Sequence, residues 1–115
     1  MNWIPLQNEE QIDEIVSKSS QKPQVIFKHS TRCSISSMAK NRLDNKNAPE
    51  GMDFYYLDLI QYRKLSNKIA ADFHVTHQSP QVLIIDHGKC IYDESHSGIT
   101  MDDIAANALK NIILS

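Results

Sequence analysis

The sequence predicts an α/β fold, a central mixed sheet flanked by helices, in the order β-α-β-α-β-α-β-β-α. Three observations predict it. Strand-type runs occur at Gln24–Lys28, Met52–Asp58 and Gln81–Asp86. The segments between them carry apolar residues at helical spacing. A late turn, Asp86-His87-Gly88-Lys89, sends the chain into another extended run at Cys90-Ile91-Tyr92. Strands separated by helices imply parallel crossovers, and the hairpin adds an antiparallel edge.

Taken in order, Trp3-Ile4-Pro5-Leu6 suits a short edge strand, where proline is tolerated. Asn8 and Gln11 have the spacing of an N-cap and its reciprocal partner, and Ile12, Ile15 and Val16 form the stripe that the first helix buries. Pro23 keeps Lys22 out of helix and delivers an extended chain into Val25-Ile26-Phe27. Ile35, Met38, Ala39, Arg42 and Leu43 then recur at helical spacing, to about Leu43 or Asn45. Asn47, Pro49 and Gly51 mark a loop, and Phe54-Tyr55-Tyr56 a strand. A helix from Arg63 to Phe73 stacks Leu65, Ile69 and Phe73, with Lys68 and Asp72 spaced as an i,i+4 pair. His74 follows where a left-handed residue often ends a helix. Val82-Leu83-Ile84-Ile85 is apolar enough for burial on both faces. After Gly98, Thr100 and Asp103 resemble a capping box, and Ile104, Ala105, Ala108, Leu109 and Ile112 form the last apolar stripe.

The bulk properties restrict the function classes. The 115 residues suit one domain spanning 1–115, and 41% apolar with 23% charged content suits a packed globule. A net charge of −2 offers no general attraction to nucleic acid or an anionic membrane. No apolar run approaches the ~18 residues of a membrane span, and Met1-Asn2-Trp3-Ile4-Pro5 lacks the plan of a secretory signal. Two cysteines do not make a disulfide framework, so a reducing cytoplasm is expected. The chain is also expected to act as a monomer.

The chemistry concentrates where the strand Val25-Ile26-Phe27 gives way to the helix after Cys33. A cysteine at a helix N-terminus meets unpaired backbone N–H groups and the positive end of the macrodipole. An ordinary thiol is only roughly 5–10% ionised near pH 7.4, and the thiolate is the nucleophile. Arg32 and the N–H groups from Ser34 to Ser36 are the candidates to favour that thiolate. Ser36 stands three residues after Cys33; its hydroxyl can donate a hydrogen bond to the Cys33 sulfur but cannot attack a disulfide. Lys28, His29 and Arg32 offer a positive rim for a carboxylate-bearing thiol, or simply a solvated loop. Cys90, in the hairpin, reads as a small buried side chain, with a distant resolving thiol as the alternative. His74, His77, His87 and His96 lack metal-ligand spacing, and no metal site is expected.

Cys33-Ser34-Ile35-Ser36 is a CxxS variant of the CxxC redox motif, and Ser79-Pro80 follows about 47 residues later, just before a hairpin strand. With the element order, these features resemble the thioredoxin-like proteins. That resemblance implies a cis-proline at Pro80 facing Cys33, with Ser79 and His77 lining the site and the adjoining backbone free to pair with a substrate chain. Ile26-Phe27-Lys28-His29-Ser30-Thr31-Arg32-Cys33, Tyr62-Arg63-Lys64-Leu65-Ser66-Asn67 and His77-Gln78-Ser79-Pro80-Gln81 look more specifically like the monothiol bacilliredoxin family (YtxJ-like). Membership implies a catalytic Cys33 assisted by Ser36, and a substrate held by Arg32, Ser34, His77, Ser79 and Pro80. It implies no bound cofactor, with bacillithiol or a similar small thiol as co-substrate and S-thiolated proteins as clients. Ser34 departs from the proline usual after the cysteine, and His74 from the usual glycine. Competing readings are a thioredoxin-fold module that binds partner chains without turnover, and an iron–sulfur monothiol glutaredoxin-like protein, whose Gly-Phe after the cysteine is absent.

Overall fold

The structure, a computed structural model, describes residues 1–114, with side chains described through Leu109. Five strands, β1 (Ile4–Pro5), β2 (Gln24–His29), β3 (Asp53–Asp58), β4 (Gln81–Asp86) and β5 (Lys89–Ser95), form one sheet in the order β1-β3-β2-β4-β5. Helices α1 (Glu9–Lys18), α2 (Ser34–Asp44), α3 (Arg63–Asp72) and α4 (Met101–Leu114) connect and cover it. β1 and β2 run parallel to β3, whereas β4 runs antiparallel to β2 and to β5.

The antiparallel relation therefore begins at β4 and not at the terminal hairpin, which corrects the expectation of a parallel crossover through α3. The register gives the reason. β3 ends where Asp58 pairs with His29, and β4 starts where Gln81 pairs with Lys28. The segment from Phe73 to Pro80 thus brings the chain back to the end of the sheet it left. A parallel strand would have had to start from the opposite end.

Strand alternation divides the core between two faces. Val25, Phe27, Phe54, Val82 and Ile84 pack with Ala39 and Leu43 of α2 and Ile104 and Ala108 of α4. Ile26, Tyr55, Leu57, Leu83 and Ile85 pack with Ile12 and Ile15 of α1 and Leu65 and Ile69 of α3. Both faces of β4 are covered, as its unbroken apolar run requires.

The local signals that formed helices are those with hydrogen bonds behind them. Asn8 Oδ1 accepts from Gln11 N at 3.0 Å, and Gln11 Oε1 accepts from Asn8 N at 3.3 Å, a complete capping box. Lys68 and Asp72 pair at 3.0 Å. His74 has φ 57°, and Val75 N donates to Ala70 O at 3.1 Å, closing α3 in a Schellman turn. Thr100 Oγ1 accepts from Asp103 N at 3.2 Å, half of the expected box. His87 and His96 likewise adopt left-handed backbone, so three of the five histidines serve turns.

Apolar periodicity was less faithful on the outward faces. Val16 is 40% exposed, Ile35 52%, Met38 61% and Leu109 51%, although each belonged to an expected apolar stripe. In α2 the inner face is Ser36, Ala39 and Leu43, so a polar residue takes the place that a hydrophobicity count gives to Ile35. Ile112 lies outside the residues whose side chains are described.

Candidate active site at the carboxyl ends of β2 and β3

Three segments meet at the end of the sheet where β2 and β3 finish and β4 begins. They are the turn from Ser30 to Cys33, the turn after Asp58, and the loop from Thr76 to Pro80. Leu59 N donates to His29 O at 2.9 Å, extending the β2–β3 ladder into this end, and Asp58 Oδ1 accepts from Ile60 N at 3.1 Å to shape the second turn.

Cys33 is the N-cap of α2, with extended backbone (φ −106°, ψ 122°) and a half-buried side chain. Its carbonyl accepts the first helical bond from Ser37 N at 3.0 Å, and its own N–H closes the preceding turn on Ser30 O at 3.1 Å. No side-chain bond caps this helix and no acidic residue lies in its first turn. Cys33 therefore holds the position from which a Ser or Asp oxygen would ordinarily receive first-turn N–H groups, while its own sulfur makes no such bond. Arg32 and Ser34, on either side of it, are exposed.

Ser36 is fully buried, and its hydroxyl lies 2.7 Å from His29 Nδ1 while accepting from Ser30 N at 3.0 Å. These partners, rather than the Cys33 sulfur, occupy the hydroxyl among the described residues, which corrects the expected Ser36-to-sulfur bond. The cause is the direction of His29. It leaves β2 on the α2 face, stacked near Phe27 at 5.8 Å between ring centroids and near Tyr56 at 5.5 Å. From there its Nδ1 meets the Ser36 hydroxyl in the first turn of α2. Burial foremost, with Lys40 nearby, holds the His29 pKa below its ordinary value.

Lys28 and His29 form no exposed rim; both are buried strand residues. Lys28 leaves β2 on the opposite face to His29, where Nζ donates to Ser66 O of α3 at 3.2 Å and lies 3.4 Å from His77 Nδ1. Burial lowers its pKa from 10.5 to about 8. Ser66 Oγ is 3.3 Å from the same His77 nitrogen. Burial, then Lys28, then Arg63 hold the His77 pKa below its ordinary value, which favours the neutral imidazole.

The Ser79–Pro80 peptide is cis, and Pro80 is buried. Gln81, wholly buried and paired with Lys28 across the sheet, holds the loop from below. Its Nε2 donates to Thr76 O at 3.0 Å and its Oε1 accepts from Gln78 N at 3.4 Å. Ser79 Oγ is buried without a hydrogen-bond partner among the described residues. Ser66 and Gln81 occur in the family-like segments, but the sequence assigns them no place in the site. The available signal was a polar side chain inside an apolar periodic stretch, which costs stability unless it is paired.

Cys90 lies at the far end of the sheet. It pairs with Ile85, which pairs with Gln24 at the start of β2, whereas Cys33 follows the end of that strand. The length of β2 alone separates these levels by roughly 16 Å. A bulge leaves Ile91 unmatched, so Cys90 turns onto the α1/α3 face and Tyr92 onto the α2/α4 face. Burial pushes the Cys90 thiol up to about 11, and its sulfur donates to Tyr92 O at 3.3 Å. That shift favours the protonated thiol at neutral pH, a poor nucleophile. No group of three metal-ligating side chains occurs among the described residues, and none of their helices is long and apolar enough to cross a membrane.

Comparison with solved structures defines the fold class as thioredoxin. A thioredoxin from Malassezia sympodialis superposes with a TM-score of 0.71 at 13% identity, over 95% of this chain and 90% of its own. One from Trypanosoma brucei brucei gives 0.71 at 14%, over 99% and 93%. A candidate oxidoreductase with a thioredoxin fold is more alike in sequence, with 30% identity, a TM-score of 0.78 and coverage of 90% and 91%. Within that class, residues 4–104 match the family model described as monothiol bacilliredoxin BrxC. The chain belongs to the monothiol bacilliredoxin family, and its function is a redox function of a thiol.

Proposed function

We propose that the protein is a monothiol thiol–disulfide oxidoreductase that removes bacillithiol, or a similar low-molecular-weight thiol, from mixed disulfides on client proteins. The observation that carries this reading is Cys33 at the N-cap of α2 with the buried, hydrogen-bonded Ser36 in the position of a resolving thiol. The Cys33 thiolate attacks the small-thiol sulfur of the mixed disulfide. The old S–S bond breaks, its electron pair leaves with the client as a thiolate, and the small thiol is now joined to Cys33. A second small thiol attacks that sulfur, forming a low-molecular-weight disulfide and returning the Cys33 thiolate. Cys90 takes no part, being protonated and remote. Arg32, Ser34, His77, Ser79 and Pro80 line the approach, no bound cofactor is needed, and S-thiolated proteins in the cytoplasm are the partners, met by a monomer.

Intact-mass measurement after exposure to oxidised bacillithiol tests the scheme. One adduct is expected on the wild-type chain and none on Cys33→Ser. An internal Cys33–Cys90 disulfide, or an adduct that survives Cys33→Ser, overturns it. Turnover of bacillithiol-, coenzyme A- and glutathione-capped model proteins then ranks the thiols.

A further inference from the structure

Lys28 is the side chain that this mechanism leaves without a task. It is a fully buried cation, and no carboxylate pairs with it among the described residues. An apolar side chain could fill the same place without the cost of burying a charge. What Lys28 touches explains its presence. Its ammonium meets one carbonyl, Ser66 O at 3.2 Å, and one ring nitrogen, His77 Nδ1 at 3.4 Å.

An ammonium has donors and no acceptor. The His77 nitrogen that faces it must therefore be the bare, accepting nitrogen, and a neutral imidazole then carries its proton on Nε2. Ser66 Oγ, 3.3 Å from the same Nδ1, can donate to it as well. The ring is partly exposed and its Nδ1 is engaged by Lys28 and Ser66, so Nε2–H is the donor left for the loop to offer. The loop itself is held by Gln81 through Thr76 O and Gln78 N. Both the position of the ring and the identity of its proton-bearing nitrogen are thus fixed from inside the sheet.

We propose that Lys28 is a positioning residue that holds His77 as its Nε2–H tautomer, so that the loop before Pro80 presents a neutral N–H donor to an oxygen acceptor of the small thiol being transferred. The proposal rests on the functional reading above, because it places the mixed disulfide between Cys33 and this loop. It gives a reason for a buried cation without a carboxylate partner among the described residues, and it gives His77 a defined chemical task.

Nitrogen-15 NMR of the full chain labelled in its imidazoles reads the tautomer directly, with His77 assigned by the resonances lost in His77→Phe. In the wild type at pH 7 the His77 Nδ1 is expected to be unprotonated and Nε2 protonated; in Lys28→Met the two tautomers are expected to mix. Steady-state turnover of a small-thiol-capped protein supplies the second reading. Lys28→Met is expected to raise KM about fivefold, the size of one hydrogen bond, with kcat little changed. In a His77→Phe background the same substitution is expected to have no effect on KM. A wild-type His77 protonated on Nδ1 overturns the proposal, as does a Lys28→Met loss that persists unchanged in the His77→Phe background. Failure of the functional reading is separate, since it appears as the absence of exchange at Cys33 in the wild type whatever the NMR shows.

Discussion

Replacing Lys28 by methionine should make the protein more stable at neutral pH. Burial lowers the Lys28 pKa from 10.5 to about 8. At about 1.36 kcal/mol per tenfold change in proton affinity, the fold opposes the charged lysine by roughly 3 kcal/mol. Methionine fills a similar volume and removes that opposition. It also leaves Ser66 O and His77 Nδ1 without one donor, at about 1 kcal/mol or somewhat more, because Ser66 Oγ remains beside the ring. The net expectation is a gain of about 1–2 kcal/mol at pH 7, read from urea unfolding midpoints. The pH dependence supplies the check. A folded-state pKa of about 8 below an unfolded value of 10.5 means that the unfolded chain holds more protons between those limits. Wild-type stability must then rise with pH across that window, and the Lys28→Met chain lacks this rise. Its advantage should shrink above pH 8 and reverse by about pH 10.5. A methionine variant that is less stable at pH 7, or an advantage that grows with pH, would refute the reasoning.

Other outcomes follow from single contacts. Asn8→Ala removes one half of the α1 capping box and should lower stability by about 1 kcal/mol in thermal unfolding. His74→Gly should raise it by about 1 kcal/mol, since the position is left-handed (φ 57°) and the side chain is exposed; a loss would show that the imidazole has a partner. On the acid side, burial alone would push Asp44 and Asp53 up, but hydrogen bonds to Asp44 from Lys40 and Trp3, and to Asp53 from Gln24 and Lys22, outweigh it and hold both carboxyls low. Stability should be full above the ordinary Asp value of ~3.9 and fall as pH drops through the folded values. The buried His29, with its lowered pKa, should add an earlier decline starting near ~6.5. Midpoints rising toward low pH would contradict all three assignments. Cys90→Ala should leave the single Cys33 adduct unchanged in intact mass and remove a thiol that alkylates slowly at neutral pH.

Local rules carried far in this chain where one physical cause acts alone. The Asn8–Gln11 box, the end of α3 at His74 and the doubly buried β4 were readable because capping geometry, backbone handedness and two-sided burial each leave a distinct residue pattern. The direction of β4 was not readable, because it depends on where the segment from Phe73 to Pro80 emerges, and periodicity contains no such information. The site was legible in part. Cys33 at a strand–helix junction can be read from spacing, since the sulfur's place follows from where the helix starts. Lys28 and His29 look like loop cations when read one at a time. Only the pleat, which sends neighbours to opposite faces, puts one against α3 and the other against α2. The Ser36 hydroxyl was misjudged for the same reason, because its partner comes from a strand seven residues earlier.

The Ser36–His29 contact also bears on what a second thiol would cost this chain. Ser36→Cys would recreate a two-thiol motif on paper, but at a fully buried position whose oxygen now satisfies both an imidazole nitrogen and the Ser30 amide. Sulfur is larger and a much weaker hydrogen-bonding partner, so the amide and the ring would both be left poorly matched. Ser36→Cys alone should therefore lower stability, and a change at His29 that relieves the imidazole should recover part of that loss.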